Sequence, residues 1–466
     1  MKVCAMSTLR DDRKAAERDT LYHIHSQTSP ILLEAQGPTV FTHGEGAHVF
    51  EEGGRRLIDA MAGLWCASLG FANQRLGDAA ANQYRKMGFY HTFNQKTPAI
   101  SIDLAEQLVR MSPFEGGRAY FATSGSEAIE TMVKLAWLYH AQKGNPARRK
   151  IISRQRAFHG STIVGASLTG LPRLHREFGL PLPGFLHTSC PDFYRDGRQG
   201  ETEEQFVARL VSDLETMIER EGPETIAAFI AEPINAGGGV VVPPTGYFPA
   251  IQAVLQKYGI LCLDDEIVCG FGRTGNMFGL ETVGMKPDMM ALAKGVTSSY
   301  FPLSAVIVSR EIYESLREFN RDGSVFGHGF TNSGHPVGAA VALETLAIYA
   351  EMNVVRHVRE RGKRLKDRLK AIGERSPIVG QVRGEGLMLA VEMVANKATR
   401  QRFDPKLRVG AEFDRRAQSN GLIIRPIDDT IALCPPYIIS DADIDEIAQL
   451  FDKTLREVEG YVCAGR

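Results

Sequence analysis

Apolar and polar positions change rhythm three times along the chain. Residues 38 to 60, PTVFTHGEGAHVFEEGGRRLIDA, alternate and are broken by glycines, which predicts short antiparallel strands joined by turns. The 20 residues at the start are polar and predict a helical arm. From about residue 100, SIDLAEQLVRM predicts a helix, RAYFAT a short strand, and SEAIETMVKLAWLYHAQKG a long amphipathic helix closed by glycine. The strand candidates KIISRQRAF, TIAAFIAEPI, ILCLDDEIV, DMMALAKG and PLSAVIVS follow, interleaved with helices over 202 to 221 and 248 to 258. Strands that are largely apolar and alternate with helices predict an α/β fold, a mostly parallel sheet covered on both faces.

After His335 the rhythm changes again. Two helices run through about 337 to 373, followed by GEGLMLAVEMV as one strand, a helix near 407 to 419, short strands in LIIR and TIALCPPYI, and a closing helix from 441. This is a smaller α+β unit, expected to be completed by the N-terminal strands. At 466 residues the chain is too long for one compact domain on ordinary priors. The expected division is 1–66 as arm and strands of the small unit, 67–336 as the large domain, and 337–466 as the C-terminal small domain.

Composition narrows the function classes. A formal charge of -1 gives no global pull toward nucleic acid or an anionic membrane. No apolar run reaches the roughly 20 residues that cross a bilayer, and the start lacks a signal-peptide core, so the expected location is the cytoplasm. Seven scattered cysteines without a CxxC pair suggest neither a disulfide framework nor a zinc site.

Several local patterns carry chemistry, each beside a plainer reading. Gly270, Gly272 and Gly275 in CGFGRTG satisfy G-x-G-x-x-G, but NMFGLETVGMKPD follows where a dinucleotide fold needs a helix. A tight glycine-rich loop accounts for them. Asp264, Asp265 and Glu266 end an apolar run, where they could hold a metal, anchor a protonated ring nitrogen, or cap a turn. Thr123 to Ser126 (TSGS) lie between a strand and a long helix, fit either for an anion or for a simple helix cap. Phe158, His159 and Gly160 follow a strand, where an aromatic can cover a planar ligand or join the core. His23 and His25 form an HxH pair without a spaced third ligand, so no metal is expected. Lys294 ends MMALAKG. It is either a solvated strand terminus or a partly desolvated amine of lowered pKa, suited to Schiff-base chemistry. Phosphate-like loop, aromatic platform, strand-end acid and strand-end lysine together meet the requirements of a pyridoxal site more completely than those of any other cofactor.

In these patterns the sequence resembles the class III aminotransferases, the fold-type I pyridoxal-phosphate group that includes omega-amino acid:pyruvate transaminases. The resemblance runs from about residue 38 to 458 and is carried by TSGSEA, FHGST, AFIAEPI, DDEIVCGFGRTG, ALAKG and GHGFTNSGHP in that order. DAMAGLWCASLGF and LIIRPIDDTIALCPP look like the branch that uses pyruvate with diamines, beta-alanine, taurine or simple amines. The resemblance implies that Lys294 carries pyridoxal 5'-phosphate and that Asp265 pairs with its ring nitrogen. Ser124, Gly125 and Ser126 would hold the phosphate, with Thr331 reaching it from a second subunit of an obligate homodimer. Phe158 and Ile267 would cover the two ring faces, and His159 and Glu232 would stand near the cofactor, Glu232 orienting it. Trp65 would line the substrate pocket, and Arg425 would receive the carboxylate of the keto acid. Two positions depart from the family pattern. Phe158 stands where many relatives have tyrosine, and HIHSQTSP (23 to 30) lacks the HPF-type segment that shapes the pocket in many of them.

The reading is a ping-pong aminotransferase that passes an amino group from an amine donor to pyruvate, leaving alanine. Rival readings are a decarboxylating transaminase or an aminomutase on the same site, and a non-enzymatic protein on the same scaffold. A tetramer is a further possibility for the assembly.

Overall fold

The computed structural model describes residues 14–464. The expected N-terminal helix falls at Ala15–Tyr22, and its first 13 residues lie outside the described part. The alternating glycine-broken segment forms β1 (Phe41–Glu45), β2 (His48–Glu51) and β3 (Arg56–Asp59), an antiparallel run as the pattern predicts.

The next seven strands are β4 (Arg118–Ala122), β5 (Lys150–Arg154), β6 (Phe185–Thr188), β7 (Ile226–Ala231), β8 (Leu261–Asp265), β9 (Met289–Leu292) and β10 (Ser304–Val308). They form one sheet in the order β4-β10-β9-β8-β7-β5-β6. Strands β6, β5, β7, β8 and β9 run parallel, and β10 lies antiparallel between β9 and β4. Every residue of β7, β8, β9 and β10 is buried, because helices cover both faces. Strand pleating sorts the side chains by alternation. Ile230, Leu263, Ala291 and Val306 pack toward the helix Gly125–Gln142 through its Ile129, Met132 and Val133. Phe229, Cys262, Met290 and Ile307 face the other way, in the core that takes in Phe206, Leu210 and Ile251 of Glu203–Glu221 and Tyr247–Tyr258. Each large side chain buried this way contributes about 1.5–3 kcal/mol.

The C-terminal part supplies β11 (Val379–Glu385), β12 (Met388–Met393), β13 (Leu422–Ile423), β14 (Arg425–Ile427) and β15 (Thr430–Leu433). Strands β11-β12-β15-β14 form a second sheet. Strand β13 instead joins the first three strands in the order β1-β2-β3-β13, pairing Leu422 with Ile58 in parallel. The protein is therefore an α/β fold of type I, a large mixed sheet flanked by helices with a smaller α+β part drawn from both ends of the chain. Among the described residues no single helix is long and apolar enough to cross a membrane.

Two elements differ from the sequence expectation. GEGLMLAVEMV is not one strand: Gly386 turns the chain at φ 55, and the run is the second half of a β11–β12 hairpin. Strand β6, FLHT, carries no apolar run long enough to announce itself, and it forms because β5 offers a free parallel edge. The large sheet places its parallel carboxyl ends together. Asp265 is the last residue of β8, Glu232 follows β7, Lys294 lies two residues past β9, and Phe158 and His159 follow β5.

Candidate active site

These strand ends and the start of the helix Gly125–Gln142 wall a cavity of about 390 Å³. Ser124, Gly125, Ser126, Phe158, His159, Glu232, Asp265, Ile267 and Lys294 all line it, so nine of the expected site residues meet in one place.

The helix start is arranged for an anion. The Ser124 side chain accepts from the Glu127 N–H at 3.2 Å, and the Glu127 carboxylate turns back to the N–H groups of Thr123 and Ser124 at 2.7 and 3.2 Å. This capping box uses up its own donors and leaves the Gly125 and Ser126 N–H groups without an acceptor among the described residues. Both residues line the cavity. A Cβ on Gly125 would stand 2.8 Å from Ile267 Cδ1, and one on Gly160 (φ 124) would meet Ser126 Oγ at 2.5 Å. Both glycines let backbone approach where a side chain would block it.

Opposite, Asp265 Oδ2 is 2.7 Å from His159 Nδ1, and Asp265 Oδ1 accepts from the Ile267 N–H at 3.2 Å. Both side chains are buried, and His159 Nε2 has no partner. Beneath them, burial pushes the Asp264 carboxyl well up, helped by Glu266, while burial raises Glu266 to about 7. Glu232 accepts from the Phe158 N–H at 3.0 Å and from the Ala236 N–H at 2.9 Å. It thereby ties the Phe158 loop to the turn after β7, and its own burial pushes its pKa up.

The Lys294 amine forms neither a hydrogen bond nor an ion pair with any described residue. Burial pushes its amine below the ordinary lysine value, with Asp265 as the chief charge opposing that fall. Its backbone sits at φ 40, an uncommon conformation for a side-chain-bearing residue, followed by Ser298 and Ser299 at φ 50 and 58. The tight turn holds the amine over the cavity, and Ser299, Phe301 and Leu303 downstream complete the wall. Sequence reasoning missed this last segment; its signal is the polar break VTSSY directly after an apolar strand.

Three expected residues lie outside the cavity lining. Trp65 is buried with Met61, Ile234 and Ala236, and shares that cluster with Val268, which does line the cavity. Arg425 is half-buried on β14, and its guanidinium makes no hydrogen bond or ion pair with a described residue; burial and Arg173 lower its pKa against the pull of Asp414. Thr331 is exposed, in a segment that packs on residues 92 to 101 through Thr92 and Ser101.

The cavity fits pyridoxal 5'-phosphate: open N–H groups for a phosphate, a buried carboxylate paired to an imidazole, and an unpaired amine. The class III aminotransferase family matches over residues 33–455. Gamma aminobutyrate transaminase 1, mitochondrial, of Solanum lycopersicum is 47% identical over 94% of this chain and 86% of its own length. The omega transaminase of Pseudomonas jessenii in complex with PMP superposes with a TM-score of 0.95 at 44% identity, covering 97% of this chain and 100% of that one. The PMP-bound aminotransferase of Vibrio fluvialis gives 0.93 at 43% identity, over 96% and 98% of the two chains. Sequence, fold and site geometry converge: this chain is an enzyme of the class III aminotransferase family, whose cofactor is pyridoxal 5'-phosphate.

Proposed function

We propose that the enzyme moves an amino group from an omega-amino acid, diamine or simple amine to a keto acid, with pyruvate the principal acceptor, in two alternating half-reactions. The observation that carries this reading is the partnerless Lys294 amine facing the Asp265–His159 pair in one cavity. The names of the Solanum relatives favour an omega-amino acid such as gamma-aminobutyrate among the donors.

In this reading the Gly125 and Ser126 N–H groups and the Ser124 and Ser126 hydroxyls hold the phosphate. Asp265 holds the ring nitrogen, Phe158 and Ile267 take the ring faces, and Glu232 fixes the Phe158 loop. When bound, the cofactor supplies a carbonyl that amines can take up and a ring that draws electrons from the donor carbon. Lys294 Nζ takes the proton from that carbon and returns it, a task suited to an amine whose pKa burial has lowered. His159 orients Asp265 and keeps water from its second oxygen. Trp65 bounds the substrate side, and Arg425, held by no internal partner, receives a substrate carboxylate in a charge-assisted fork. Thr331 completes the phosphate site of a second copy; its exposure beside the exposed Phe89, Tyr90 and Phe93 supports a homodimer.

The test uses the holoenzyme in two stages. Gamma-aminobutyrate, beta-alanine, putrescine or 1-phenylethylamine alone should discharge the cofactor's visible absorption. Pyruvate should then restore it, with alanine formed in equal amount. No alanine from any of the four donors would sink the pyruvate assignment, and carbon dioxide release without alanine would favour a decarboxylating reaction.

A further inference from the structure

Two clusters of metal-ligating side chains stand outside the cavity, and helix polarity separates them. His48 faces Asp443 and Glu446 near the start of Asp441–Ala464. There the positive helix end opposes a further cation, as does Arg56, 2.7 Å from Glu446. Asp19, His23 and His25 stand at the other kind of end. His23 caps the C-terminus of Ala15–Tyr22, the end that favours positive charge.

Asp19 and His23 are one helical turn apart and share a face. At His23 the backbone becomes extended (φ -122, ψ 129), so alternation brings His25 back to the same side, while Ile24 points to solvent, 91% exposed. His23 Nδ1 lies 3.0 Å from Asp19 Oδ1, His25 Nε2 lies 2.7 Å from Asp19 Oδ2, and the ring centroids are 4.7 Å apart. The three donor atoms fall within 4.8 Å of one another. The HxH pair lacked a third ligand in the sequence; the fold supplies it from the preceding turn of helix.

We propose that Asp19, His23 and His25 bind one divalent ion of the zinc class, with water in the remaining position. Two imidazole nitrogens and one carboxylate oxygen suit zinc, nickel or cobalt, whereas magnesium and calcium require oxygen ligands. Donors about 2.0–2.2 Å from a tetrahedral zinc stand roughly 3.4 Å apart, so small side-chain rotations close the site. The ion's role is to fasten the arm helix to the chain that leads into Pro30–Gln36.

Chelator-treated holoenzyme, freed of any affinity tag, is titrated with zinc chloride against a chromophoric zinc indicator. One zinc per chain should bind, with affinity falling at least about ten-fold in H25A and in D19N. Millimolar magnesium should not displace it. Absence of zinc uptake by the parent, or uptake unchanged in both variants, overturns the site, and displacement by magnesium overturns the assignment of the ion.

Discussion

Buried charge is handled in opposite ways in the seven-stranded sheet and in the C-terminal four-stranded sheet. In the β11-β12-β15-β14 sheet, Glu392 of β12 is buried between Arg195 and Arg383, one carboxylate oxygen to each. Further nitrogens of both guanidiniums are also occupied: Arg383 reaches the Gly239 carbonyl at 2.7 Å and Gln381 at 3.0 Å, and Arg195 the Arg400 carbonyl at 2.6 Å. At the carboxyl edge of the seven-stranded sheet, the Lys294 amine, His159 Nε2 and the Gly125 and Ser126 N–H groups have no internal partner. Native interiors satisfy almost all of their polar groups. A closed network holds the fold, and a concentration of open groups marks where a ligand belongs.

Substitutions sharpen this contrast. Lys294→Ala should lower alanine formation by at least about 10³-fold while circular dichroism and the unfolding midpoint stay near the parent values, because no internal contact is lost. Glu392→Ala should do the reverse. Two buried guanidiniums lose their counter-charge, costing about 3–5 kcal/mol in urea unfolding, with the rate per folded chain unchanged. Asp265→Asn should reduce turnover by about 10²-fold through lost charge at the ring nitrogen, with cofactor still retained on a desalting column. Gly125→Ala, whose methyl would press on Ile267 Cδ1 at 2.8 Å, should weaken cofactor retention about ten-fold with little change in turnover at saturation.

The smallest effect is a shift in titration. Burial lowers the Lys294 amine from 10.5, and Asp265 partly restores it. In the apoenzyme, amine-selective modification of Lys294 should therefore rise with pH at a lower value than for a surface lysine. Asp265→Asn removes the stabilisation of the ammonium and should move that rise lower still. A rise at the surface-lysine pH would break the contrast between the two sheets.

The site was legible where it depends on strand ends. An apolar run fixes a buried strand, and the residue at its carboxyl end, Asp265 or Lys294, then falls on the ligand side of an open sheet. The TSGS segment was legible because a strand-to-helix junction exposes N–H groups whatever surrounds it. Contacts between distant segments were not. His159 meets Asp265 across 106 positions, and no local pattern announces that pair. The positions of Trp65 and Arg425 outside the cavity lining depend on how the strands and helices from the two chain ends pack, to which periodicity is blind. The β11–β12 turn at Gly386 was hidden because the strand before it, VGQVRGE, has too few apolar positions to announce itself.

The pairing of β3 with β13 has a consequence for synthesis. Ile58 leaves the ribosome long before its partner Leu422, about 360 residues later. At roughly 5–20 residues per second the edge of β3 waits about 20–70 seconds for its strand. During that interval Leu57 and Ile58, which end fully buried, have no β13 to cover them. The nascent enzyme therefore offers the unpaired edge of β3 to chaperone capture and to mispairing until most of the chain has emerged.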